Sequence, residues 1–189
     1  TASLASLVST RATLALPFET NELQVEVDSL LNGGQLDWVA NHSPMTEIWG
    51  DVFNDWTIEG ITKATLNLTL PLENIAGLDI KLNAQLLDHS LNIESANLSL
   101  SQLNGDIKFD SQRGLSSKNM TGIGFGGAVV ANINGNFNNG TEIIIDSSGA
   151  ANINEVGHWL NEPFLSSKSG SIQYQSHAVF GDQNVVHLT

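Results

Sequence analysis

The chain has 189 residues, seven basic and twenty acidic, giving a formal charge of −13 with histidine neutral, and it contains no cysteine. That charge repels phosphate backbones and anionic headgroups, which argues against nucleic-acid binding and against a polybasic membrane anchor. The lack of cysteine excludes a disulfide framework and a thiolate zinc site, and the length suits one ordinary domain or part of a longer array.

The sequence opens at Thr1, and Ala2 to Val8 is too short, with no basic flank, to be a signal peptide. No window approaches the roughly 18 consecutive apolar residues that a bilayer crossing needs. The expectation is a fragment of a larger protein, with any targeting signal outside it.

Ala12, Leu14 and Leu16, then Leu23, Val25 and Val27, alternate with polar residues on either side of a turn containing Pro17 and Asn21, which predicts a hairpin. From Leu36 to Trp56 the period changes. Trp38, Val39, Met45, Ile48, Trp49, Val52, Phe53 and Trp56 fall three and four apart, and Ser43-Pro44 supplies an N-cap and a first-turn proline, so a short amphipathic helix is predicted over residues 44–55.

The stretch Ile61 to Ile145 carries the strongest pattern. Leu66, Leu68 and Leu70 alternate with Asn and Thr, and the beat returns at Leu78, Ile80, Leu82, Ala84 and Leu86, at Leu91 and Ile93, at Leu98 and Leu100, at Ile107 and Phe109, and at Val129, Ala131 and Ile133. Side chains alternate faces along a strand, so one face collects the aliphatic residues and the other collects Asn, Thr, Ser, Asp and Lys. Turns are predicted at 73–77, 88–90, 102–105, 111–114 and 134–141, and Ile143 to Ile145 forms a final strand core ahead of Asp146 to Gly149. A second helical patch follows at 153–165, with Val156, Trp159, Leu160 and Phe164 on one side, and alternation resumes at Ile172, Tyr174, Ala178 and Phe180.

The predicted fold is mainly β: a long antiparallel sheet with one apolar face and one or two short amphipathic helices. Sixteen or so apolar side chains at about 2 kcal/mol each represent about 30 kcal/mol that a bare face would forfeit. Helices or a second sheet would cover such a face in an ordinary domain, whereas a curled sheet can reserve it for acyl chains. Trp49 and Trp159, like Gly60 and Gly170, stand 110 positions apart. This predicts a repeat, with strands ending one unit at 1–42, a full unit of short helix and long strands at 43–152, and the start of the next at 153–189.

Motifs for chemistry are missing. Gly122-Ile123-Gly124-Phe125-Gly126-Gly127 satisfies the glycine spacing of a dinucleotide loop, but strand-like Ala128 to Ile133 follows where a helix must begin, so a bulge or tight bend is predicted instead. The five histidines are scattered without metal-pair spacing, and the Asn/Gly run 132–141 lacks the carboxylates that calcium needs. There is no G-x-S-x-G or S-x-x-K motif and no convincing pair of carboxylates. No enzymatic activity, metal or cofactor is expected.

The run Leu98 to Asp110, then Arg113 to Ser117, then Gly124 to Val129, resembles the recurring glycine and aliphatic signature of the YhdP-like branch of the AsmA-like proteins, with Ala128 standing where a proline is frequent. Gly60 to Leu72 and His158 to Phe164 are similar to further segments of that family. The resemblance implies a segment of a large Gram-negative envelope protein, anchored in the inner membrane upstream and crossing the periplasm as a strongly twisted and curled sheet, taco-like around an open groove. It implies phospholipid as the ligand, contact with the inner and outer membranes through the full-length protein, and a role in phospholipid transport to the outer membrane and in its permeability barrier. Acyl chains would then slide along Leu66, Leu68, Leu70, Ile80, Leu82, Leu91, Ile93, Leu98, Leu100, Ile107, Phe109, Ile123, Phe125, Val129 and Ile133. The alternative is a structural or adhesive β-sandwich that binds no lipid.

Overall fold

The computed structural model describes residues 8–17, 21–36, 55–73, 77–137, 142–181 and 185–188. Ten strands make one sheet in the order of the sequence: β1 (Val8–Ala15), β2 (Glu22–Asn32), β3 (Trp56–Pro71), β4 (Asp79–Ile93), β5 (Leu98–Asp110), β6 (Gly114–Gly124), β7 (Gly127–Asn136), β8 (Glu142–Asn152), β9 (Ser171–Gly181) and β10 (Val185–Leu188). Every neighbouring pair is antiparallel. After β8 come two short helices, α1 (Ile153–Trp159) and α2 (Pro163–Ser166), and residues 33–36 are also helical. The helix expected at 44–55 lies outside the described residues apart from its last position, and Trp56, grouped with it by spacing, is the first residue of β3.

The chain therefore folds as a mainly β protein with a single antiparallel sheet, as the alternation predicts. Among the described residues all strands share that one sheet, so none forms the second layer that a sandwich requires. β3 and β4 reach 16 and 15 residues, against about five or six for an ordinary strand.

Three predicted breaks prove to be continuous strand. The polar interruption at 88–90 lies inside β4 and that at 102–105 inside β5. Asp146 to Gly149, expected to follow the last strand core, continues β8 to Asn152. The reason in β4 and β5 is a set of β-bulges. Register shifts insert one extra residue in each of β4, β5 and β6, and Asp88, Gln102 and Asn119 there adopt left-handed φ values of 55°, 51° and 53°. The spare backbone donors find side chains next door: Asp88 N–H donates to Asn104 Oδ1 at 3.1 Å, and Asn119 N–H donates to Asn132 Oδ1 at 3.0 Å. A bulge shifts the alternation by one residue just as a turn does, so even positions face inward before the β4 bulge and odd positions after it.

Two clusters of the protein's own side chains hold the inner face. Ile80 and Phe109 are buried against Leu66, Leu68, Leu82, Leu115 and Phe137, with the Phe109 and Phe137 rings 5.9 Å apart. Further along, Leu86, Leu103 and Met120 are buried against Ile58, Leu91, Leu100, Ile107 and Ile133. At the bulge line a polar pair is enclosed: His89 and Thr62 are both fully buried, with Nε2 2.8 Å from Thr62 Oγ1. Gly60, with φ of +131°, leaves room for that imidazole, since a Cβ there would stand 2.6 Å from the ring.

Candidate functional site

Residues directly opposite in an antiparallel pair share a face, so the register assigns the inner face strand by strand. Leu66, Leu68 and Leu70 pair with Val27, Val25 and Leu23 on β2, and Leu66 and Leu68 pair with Leu82 and Ile80 on β4. Leu91 and Ile93 pair with Leu100 and Leu98. Ile107 and Phe109 follow the β5 bulge onto the same face, and Val129 and Ile133 belong to it on β7. Phe125 sits in the β6–β7 turn.

Ile123 does not share this face. It pairs with Ser101 and Ala128 on the outer surface, because the extra residue at 118–119 moves the inward positions of β6 to Met120, Gly122 and Gly124. The glycine run is the tight bend that its context predicts: Phe125 and Gly126, with φ of 50° and 69°, form a two-residue turn of the type that follows strand twist.

β3 and β9 come close to each other across the inner face. Trp56 opens β3 and Phe180 nearly closes β9, six positions along in the sheet order, which a flat array would separate by roughly 29 Å. Their rings meet edge to face at 5.7 Å. Between them lies a cavity of about 150 Å³, lined by Leu91, Ile93, Leu98, Leu100, Phe125, Val129 and Ile133 of the predicted set. Trp56, Leu103, Met120, Ala131, Ile145, Trp159, Tyr174, Ala178 and Phe180 also line it and lie outside the predicted acyl-chain set. Among the described residues no charged side chain lines it.

The remaining predicted residues lie elsewhere on the face: Leu66, Leu68, Ile80, Leu82 and Phe109 in the first cluster, Ile107 against the second, and Leu70 beside Leu23. At the β1 end the face is open, with Leu14 and Leu16 exposed to 67% and 55%.

Helix α1 closes one end of the cavity. Trp159 Nε1–H donates to the Ala96 carbonyl in the β4–β5 turn at 2.7 Å, and its ring lies 5.3 Å from that of Phe125. Strand and turn ends from opposite parts of the sheet are thereby tied together. Four hydroxyl-bearing residues are among its lining: Thr121, Ser147, Tyr174 and Ser176. Ser147 and Ser176 face each other across β8 and β9 with their oxygens 2.6 Å apart, and burial raises the Tyr174 pKa.

Charges gather outside. Asp146 and His177 pair at 2.7 Å with both side chains about half exposed, and Lys81 pairs with Asp79 at 2.7 Å. The Lys81 hydrogen bond holds the Asp79 carboxyl below its usual range. Among the described residues no group of three His, Asp or Glu side chains could hold a metal ion, and no helix is long and apolar enough to cross a membrane.

A family model described as YhdP protein matches residues 5–187. The chain belongs to the YhdP family. The resemblance carried by Leu98 to Asp110 and its companion segments is thus borne out over nearly the whole chain. Comparisons with curated proteins and with solved structures find no match. The inner face of this YhdP-family sheet is mostly aliphatic and aromatic, with Thr62, His89 and a few hydroxyl side chains as its polar members.

Proposed function

We propose that the inner face of this sheet carries phospholipid acyl chains, as one segment of a larger periplasmic conduit that is anchored in the inner membrane and supplies the outer membrane. Headgroups stay toward water at the open seam, and the segment performs no chemistry of its own. The observation that carries this reading is the charge-free cavity between Trp56 and Phe180, continuous with a half-buried aliphatic face. Its volume of about 150 Å³ resembles that of an apolar cavity that accepts a benzene, so it takes a short length of chain while the rest lies along the face toward β1. Family membership supports the setting.

The test places a charge on the half-buried lining. Leu98→Asp in the full-length protein is expected to sensitise cells to detergents and large antibiotics at normal protein abundance, whereas Lys108→Glu on the outer face leaves the barrier intact. An intact barrier with folded, abundant Leu98→Asp protein would contradict the proposal.

A further inference from the structure

The cavity takes its lining from every strand between β3 and β9, with α1 at one end. Antiparallel ladders join those strands in succession, from β3–β4 to β8–β9. Between β3 and β9 themselves there is no ladder, because β3 is hydrogen-bonded to β2 and β4, and β9 to β8 and β10. The edge-to-face contact of Trp56 with Phe180, with ring centroids 5.7 Å apart, spans this seam. Both residues are half-buried, so the rings meet water on one side while the cavity lies on the other.

A phospholipid whose headgroup stays in water must pass its acyl chain through the wall at some point. Crossing a ladder would leave the backbone groups of two strands unpaired against hydrocarbon, at a cost that grows with each bond broken. The α1 end is tied by hydrogen bonds as well: Trp159 Nε1–H donates to the Ala96 carbonyl at 2.7 Å, Asn152 N–H to the Phe125 carbonyl at 2.8 Å, and Ile153 N–H to the Gly170 carbonyl at 3.0 Å. Parting Trp56 from Phe180 instead separates two apolar surfaces that an incoming acyl chain covers again. We infer that the Trp56–Phe180 contact is a lateral gate, through which an acyl chain enters and leaves the cavity sideways while its headgroup remains outside. This rests on the acyl-chain reading above and adds to it the route of entry.

The chain has no cysteine, so Trp56→Cys with Phe180→Cys can be bridged across the seam by a short bifunctional maleimide. The probe is a short-chain phosphatidylcholine with brominated acyl chains, mixed with the full chain below its micellar concentration in a stopped-flow fluorimeter. Bromine quenches tryptophan on contact, and Trp159 in the cavity wall reports its arrival. The bridged protein is expected to lose uptake, whereas the same variant capped with a monofunctional maleimide keeps it. In the otherwise native chain, Phe180→Leu should speed entry about fivefold, the equivalent of about 1 kcal/mol of ring contact taken out of the barrier. Loss of a lining contact alone would speed release and leave entry unchanged. Equal uptake by bridged and capped protein, or a Phe180→Leu entry rate equal to the native one, would overturn the gate and leave the acyl-chain reading standing. Absence of quenching in the native chain would overturn both. The Phe180→Leu rate decides the matter even if the double variant fails to fold or to bridge.

Discussion

His89 links the buried polar site at the bulges to a pH dependence of stability. Its Nδ1 accepts the Leu87 N–H at 3.1 Å, so Nδ1 carries no proton and Nε2–H donates to Thr62 Oγ1 at 2.8 Å. Protonating Nδ1 would set two donors against each other inside a fully buried site. Burial accordingly pushes the His89 pKa down, with the nearby Asp88 carboxylate pulling the other way. The folded value lies below an unfolded value of about 6.5, so the contribution to stability is complete above about pH 6.5. As pH falls further the unfolded chain takes up a proton that the folded chain refuses, and stability drops until the folded pKa is reached. The slope in that window is at most about 1.4 kcal/mol per pH unit for one proton. Urea unfolding of the native chain and of His89→Gln, in half-unit steps from pH 8 to pH 5, isolates this term because every other titrating group is common to both. The native chain should lose more stability than the variant below pH 6.5, by no more than about 1.4 kcal/mol per unit. Parallel stability curves for the two proteins across that window would refute the reasoning.

Two further predictions test the bulges and the division of the inner face. Gln102 pays for a left-handed φ of 51° that Asn and Asp tolerate better at the other two bulges, so Gln102→Gly should raise stability by about 0.5–1 kcal/mol and Gln102→Val should lower it, both read by urea unfolding. Phe109→Ala should cost about 3–5 kcal/mol, because the ring is 2% exposed among Ile80, Leu115 and Phe137, whereas Leu14→Ala on the open part of the same face should cost less than about 0.5 kcal/mol. Similar costs at the two positions would mean that the face is uniformly packed.

The strands, their antiparallel pairing and most of the inner face were legible because period-two alternation records which side of a strand each residue occupies. Leu66, Leu68, Ile80, Leu82 and Phe109 were found that way and pack together. What failed was parity across bulges. A lone extra residue and a reverse turn leave the same mark on the alternation, so 88–90 and 102–105 read as turns. Ile123, counted in step with Phe125, was set on the wrong face, while Leu103 and Met120, just past their bulges, went unnoticed despite being buried. The left-handed positions were a usable clue, since Asp88 and Asn119 are residues that accept that conformation and Asn104 and Asn132 stand ready to cap them. Trp56, Tyr174 and Phe180 line the cavity only because β3 and β9 come together, a long-range approach that no local window contains. The Trp159 bond to Ala96 spans 63 residues and is equally invisible to spacing, although spacing does place Trp159 in a helical patch.

The central claim is that hydrocarbon occupies the inner face, and photo-crosslinking reads it directly. A benzophenone side chain placed at Leu98, Leu100 or Ile133 of the full-length protein in living cells, irradiated and examined by mass spectrometry, should yield phospholipid adducts through the acyl chains. The same group at Lys108 or Asn134 on the outer face should yield none. Adducts at the outer positions equal to those at the inner ones, or their absence at all three inner positions in folded protein, would contradict the account.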